Sequence, residues 1–153
     1  MTTTLKLVLL TTAVAISVFG MLLNDRVLRS RVRKRLSTRP HLSPSDFAAT
    51  YYRQRAADVA KRVRRVLDSV AADLGLDLSG SQPSDDVVKD LSFDDLDSMA
   101  TVDLVLALEN EFNIKITDTE AASMRTVGDI IEFITRRTGS TFAADRTEGG
   151  PAA

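Results

Sequence analysis

At 153 residues the chain has room for one globular domain and an appendage. A hydrophobic content of 44% excludes a wholly disordered chain, and the lack of cysteine excludes disulfides, thiolate metal sites and a cysteine nucleophile. The net charge of −1 conceals two opposed halves. Up to Leu67, 14 Lys and Arg face 3 Asp and Glu (+11); from Asp68, 6 face 18 (−12), so the halves should meet different partners.

Residues 7–23, LVLLTTAVAISVFGMLL, carry no charge. As a helix they span about 25 Å, short of a hydrocarbon core of about 30 Å; Thr3, Thr4 and Leu5 extend the run, and Lys6 can reach back to the interface. The rival is a cleaved signal peptide. Only Lys6 precedes the apolar run, however, and no small-residue cleavage site lies before Asp25, so a retained single membrane helix is expected. Arg26, Arg29, Arg31, Arg33, Lys34, Arg35 and Arg39 follow, and by the positive-inside rule they put the downstream domain in the cytoplasm. Such a collar suits anionic lipid headgroups, at about 1 kcal/mol per cation near the surface. Beside an apolar span, and without interleaved aromatics, it does not suit nucleic acid.

Residues 37–45, with Pro40 and Pro44, read as a linker holding the single histidine, His41, in solvent. Helical spacing recurs at Phe47, Tyr51, Val59, Val63, Val66, Val70 and Leu74. This predicts a helix capped by Ser43 or Ser45, stalk-like at first, packed over residues 56–74 and closed by Gly75. Residues 75–93 form a long loop expected to bury Leu76, Leu78, Val87, Val88, Leu91 and Phe93; loops of this length in compact domains tend to be functional. A second helix, capped by Asp97 or Ser98, runs to Phe112 with Val102, Val105, Leu106, Leu108 and Phe112 inward, and Asp94, Asp95 and Asp97 favour its positive end. Thr117 or Asp118 caps a short third helix ending at Met124. Thr126 caps the last, which buries Ile130, Ile131 and Ile134 and ends at Arg136, Arg137 and Gly139.

The predicted fold is all-α: a four-helix bundle with a short third helix, preceded by one transmembrane helix and a basic linker. In residue ranges this is an anchor (1–24), a basic juxtamembrane linker (25–45), a helical domain (46–139) and a flexible tail (140–153).

Catalytic chemistry finds little support. A calcium loop counted from Asp94 needs glycine and glutamate at its sixth and twelfth positions, where Met99 and Val105 stand. A nucleophilic Ser98 needs a base, and His41 is remote in the linker. No glycine-rich phosphate loop is present. Ser98 remains, as a helix-cap serine or as an acceptor.

The run Asp97-Ser98-Met99, its continuation VDLVLALENEF, the short loop at Ile114 to Ile116, and Thr126-Val127 with Ile130-Ile131 resemble the acyl carrier protein family. The likeness covers about residues 56–137 and is densest over 90–134. Met99 stands where the family usually has leucine, and the glycine that often precedes the motif is missing. The resemblance implies a carrier, not an enzyme, of the acyl-carrier type of four-helix bundle. It implies 4′-phosphopantetheine attached covalently to Ser98 by a phosphopantetheinyl transferase, with Asp97 and Met99 flanking the site. Acyl groups would ride as thioesters for fatty acid or lipid biosynthesis, in a pocket walled by Val102, Leu106, Ile116, Met124, Val127 and Ile131. Asp94, Asp95, Asp103, Glu109 and Glu111 would dock basic patches of acyl-loading and acyl-transfer enzymes. A peptidyl or polyketide carrier would show the same motif, and a non-catalytic membrane-tethered adaptor would need only the acidic helix.

Overall fold

The computed structural model describes residues 2–145, which form seven helices and no β-strand. These are α1 (Thr2–Ser37), α2 (Pro44–Tyr51), α3 (Gln54–Asp73), α4 (Phe93–Leu96), α5 (Ala100–Phe112), α6 (Asp118–Ser123) and α7 (Val127–Asp145). The predicted bundle corresponds to α3, α5, the short α6 and α7, with α3 packed against both α5 and α7.

The helix expected to start at Ser43 or Ser45 and run to Leu74 is two helices. Ser43 caps α2, its Oγ accepting the Asp46 N–H at 3.2 Å, and Tyr52 and Arg53 are extended. The break folds α2 back on α3 and drives Phe47 into the core. Along α3 the buried stripe is Val59, Ala60, Val63, Arg64, Leu67 and Ala71, while Val66 and Val70 are only partly buried. Small alanines thus lie where helices approach closely.

Arg64, 1% exposed, is the charged member of that stripe. Its Nε donates to Asp68 Oδ1 at 2.8 Å, its Nη2 donates to the Leu78 carbonyl, and its guanidinium lies 5.2 Å from the centre of the Phe47 ring. Burial pushes the Asp68 carboxyl up, against the downward pull of Arg64.

The long loop after α3 buries Leu76, Leu78, Val87, Leu91 and Phe93 as expected; Val88 is exposed. It is laced to the start of α7: Val87 N–H donates to the Arg125 carbonyl (3.0 Å), Val127 N–H to Asp85 (3.1 Å) and Gly128 N–H to Pro83 (2.8 Å). Thr126 and Asp129 cap α7 reciprocally, at 2.9 and 3.1 Å. α7 continues through Gly139 to Asp145, six residues into the expected tail, and residues 146–153 lie outside those described.

The largest departure concerns residues 25–45. Where a linker is expected, α1 runs unbroken to Ser37 and packs against the bundle. Val32 and Leu36 are buried in the common core, with Leu28 and Arg29 partly covered. Removing those two apolar side chains from water contributes about 1.5–3 kcal/mol each. The end of α1 crosses Gly80 so closely that a Cβ there would overlap the Leu36 carbonyl oxygen. Arg35 pairs with Asp90, and Arg39 Nη1 donates to both carboxylate oxygens of buried Asp85, at 2.8 and 2.7 Å. Leu42 N–H donates to the Ser79 carbonyl at 2.8 Å, and exposed His41 is hydrogen-bonded to Ser79 Oγ. The apolar spacing Leu28, Val32, Leu36 is what docks this otherwise cationic helix.

Replacing Arg64 with Ala should cost about 3 kcal/mol, because the Leu78 carbonyl and Asp68 lose their partner and Phe47 loses its cover. Chemical denaturation of the full chain in detergent would measure it; a loss under 1 kcal/mol would contradict this role.

Candidate functional site

α4 ends at Leu96, Asp97 is extended, and α5 begins at Ala100. The turn between them is held by Asp97, whose Oδ1 accepts the Met99 N–H at 2.9 Å and whose carbonyl accepts the Ala100 N–H at 3.0 Å. Ser98 stands exposed in that turn, and its hydroxyl makes no hydrogen bond among the described residues. Met99, not Asp97 or Ser98, takes the N-cap position of α5, with no side-chain cap, and Ser98 Oγ has no bond to the helix. Thr101 donates to Asp94, which ties α4 to α5. Asp94, Asp95, Asp97 and Asp103 are all exposed around the serine.

A cavity of about 330 Å³ opens beside α5, within the usual range for small-ligand pockets. Val87, Leu104, Val105, Leu108, Met124 and Ile130 supply its apolar wall. Thr101, three residues beyond Ser98, also lines it, so the face of α5 that follows the serine leads directly into the cavity. Asp86 and Arg125 pair across the rim at 3.1 Å. Desolvation acts to raise the Asp86 carboxyl, but hydrogen bonds from the Lys89 N–H, Arg125 and the Val88 N–H outweigh it and hold the group below its usual range.

Residues 64–134 match the family described as phosphopantetheine attachment site. The acyl carrier protein of Syntrophobacter fumaroxidans is 40% identical over 79 residues, covering 52% of this chain and 94% of that protein. The chain belongs to the acyl carrier protein family. It is a carrier and not a catalyst, it bears covalent 4′-phosphopantetheine, and it works with a phosphopantetheinyl transferase and acyl-handling enzymes.

The residues present fit that group. An exposed hydroxyl with no internal partner is what a phosphodiester linkage requires, and an apolar cavity begins one turn along the same helical face. The bound group supplies a terminal thiol, on which cargo rides as a thioester. This chain, with no cysteine, offers no competing thiol.

The structure redistributes the other expected residues. Of the six proposed pocket residues only Met124 lines the cavity. Ile116, Val127 and Ile131 are core residues, and Val102 and Leu106 are 46% and 50% exposed on the outer side of α5. The α5 part of the wall comes instead from Thr101, Leu104, Val105 and Leu108, whose i, i+3, i+4, i+7 spacing was present in the sequence. Val87 and Val88, in the turn opposite, were not identifiable as wall residues without the fold.

Among the expected docking residues, Asp94, Asp95 and Asp103 are exposed near Ser98. Glu109 is occupied: its Oε1 accepts the Ile116 N–H at 2.8 Å, and Lys115 Nζ lies 3.5 Å from Oε2. Glu111 turns to α3, where Arg62 Nε donates to its carboxylate at 2.8 Å and Arg62 stacks over Phe112. Asn113, in the left-handed region (φ 50°), closes α5, and Thr117 and Glu120 form a capping box for α6.

The Ile116 N–H holds the Glu109 carboxyl below its ordinary value of 4.5. A depressed carboxylate favours the fold above the unfolded-state pKa, and that contribution disappears as pH falls through the folded-state value. The Ile116 amide proton should therefore titrate with a midpoint below 4.5 in NMR spectra, and Glu109→Gln should abolish the transition. A midpoint above 4.5 would contradict the assignment.

Proposed function

We propose that the chain carries acyl groups as thioesters for fatty acid or lipid biosynthesis, with its prosthetic arm on Ser98, at the cytoplasmic face of a membrane that α1 crosses. What carries this reading is Ser98 itself: an exposed hydroxyl without an internal partner, at the head of the helical face that lines an apolar cavity, in a chain of this family. Among the described residues one helix, over Leu10–Ser37, has the length and composition to cross a membrane, and its apolar side chains from Leu10 to Val27 are solvent-exposed. Exposed apolar side chains in such a run call for a lipid solvent. The cations Arg26, Arg31, Arg33 and Lys34 follow the span immediately, which favours a cytoplasmic carrier domain beside anionic headgroups.

Client enzymes meet Asp94, Asp95 and Asp103 together with the exposed apolar stripe of Met99, Val102 and Leu106 on α5. Charge steers the encounter, and the stripe supplies apolar area to bury. Asp97, which fixes the Met99 amide, positions the serine.

Coexpression with a phosphopantetheinyl transferase should add one phosphopantetheine to the intact mass of the wild type and nothing to Ser98→Ala. An unmodified wild type would refute the attachment site. Reversing Asp95 and Asp103 to Lys should lower kcat/KM of the transferase on the order of tenfold at low salt, with the difference shrinking as salt rises.

A further inference from the structure

We propose that residues 25–37 of α1 form a rigid strut, built into the carrier domain, that holds Ser98 and the cavity rim at a fixed height above an anionic lipid surface. The height rests on the membrane-anchor reading of residues 7–23; the rigidity rests on the packing alone.

A tether of the expected length, residues 25–45 as a flexible coil, would have an end-to-end spread of about 25 Å. None exists here. α1 is continuous through residue 37 of that segment, and the carrier domain begins to pack almost at once: Gly75 lies against the Arg29 side chain, six residues or about 9 Å beyond Leu23. The headgroup layer on each side of a bilayer is about 5–7 Å thick, so the domain starts at its outer edge. From there Val32 and Leu36 enter the common core, and the end of the helix is wedged against Gly80.

The cations divide by helical face. Arg35 and Arg39 are held by Asp90 and Asp85, and Arg29 lies 3.9 Å from Asp25. Arg26, Arg31, Arg33 and Lys34 are exposed away from the docked stripe, where a charged lipid surface would meet them.

The strut also reaches the site. α1 packs against α4, which ends two residues before Ser98. Arg35 pairs with Asp90 Oδ1, Asp90 Oδ2 accepts the Asp86 N–H at 3.0 Å, and Asp86 pairs with Arg125 at the cavity rim. A carrier on such a strut presents its arm to enzymes at one level above the bilayer, and therefore to enzymes whose own active sites open at the lipid surface.

The chain has no cysteine, so Ser30→Cys on α1 and Ser69→Cys on α3, both exposed, can carry spin labels without background. In phosphatidylglycerol and phosphatidylethanolamine vesicles, pulsed electron–electron resonance should give one narrow distance. Val32→Asp should broaden it toward the roughly 25 Å spread of a coil, and Gly80→Ala, which displaces the end of α1, should shift or widen it. Both variants should still accept phosphopantetheine, which shows that the carrier domain remains folded. A broad distribution in the otherwise wild-type chain would overturn the strut. A narrow distance in a chain that carbonate extracts from the vesicles would overturn the anchor reading, and the fixed height with it.

Discussion

A serine at the head of a helix is ordinarily spent on the helix. The first amides of α5 need acceptors, and a hydroxyl at this position is among the best available. Here no side chain caps α5: Asp97 orders the turn before it, its side chain taking the amide of Met99, the N-cap residue, and its carbonyl the Ala100 amide. One residue on, Ser98 is left exposed with no internal bond to break. Everything else at the site depends on that division of labour, since a hydroxyl committed to the backbone would have to give up its bond, and α5 part of its start, on modification. The acidic neighbours have the same double use: they lie at the positive end of α5, which favours them, and they are exposed to incoming partners.

The domain behind the site is closed by unusual means. Aromatic residues are few, so aliphatic side chains and alanines fill most of the core, and a buried guanidinium, that of Arg64, joins α2, α3 and the long loop. α1 then completes the core from outside the matched residues 64–134, contributing Val32 and Leu36. Because Asp85 is buried, Arg39 is required there as well: an isolated carboxylate in that place would cost several kcal/mol. The loop between α3 and α4 is thereby fixed at both edges, to α7 through its backbone and, through its carboxylates, to α1 and to Arg39 just beyond it.

Much of this was legible in the sequence, and the failures have physical causes. The motif at Ser98, the end of α5 at Phe112, the caps at Thr117 and Thr126 and the short α6 all rest on local chemistry, which a sequence displays directly. The inward face of α5 is legible in part: Leu108 and Phe112 are buried as expected, but ATVDLVLALENEF is apolar on two sides, so periodicity alone does not separate Val102 and Leu106 from Leu104. Val66 and Val70 drew attention from Leu67 and Ala71 for the same reason, since alanine carries little hydrophobic signal yet marks close helix approach. Residues 25–37 read as a linker because charge count outweighed spacing; three apolar residues four apart are enough to dock a helix whose other faces are cationic. The break at Tyr52 had no marker, as neither glycine nor proline stands there.

The two apolar faces of α5 make opposing demands on a cargo chain. Each methylene placed in the cavity contributes about 0.8 kcal/mol, so a chain with about five of them inside is held by about 4 kcal/mol, an excess of about a thousandfold over the extruded form. A client must offset that hold to reach the thioester. It has two sources on this surface: burial of Met99, Val102 and Leu106, which are exposed in the free carrier, and an apolar tunnel of its own for the cargo. Binding energy from the first does not depend on the cargo, whereas energy from the second does. On the proposed reading, selection among acyl chains belongs to the tunnel and the cavity, whose wall includes Leu104, Leu108 and Met124, and recognition of the carrier belongs to the outer face. Placing the two on opposite sides of one helix lets each change without the other, and it explains why α5 is apolar on more than the side that the core requires.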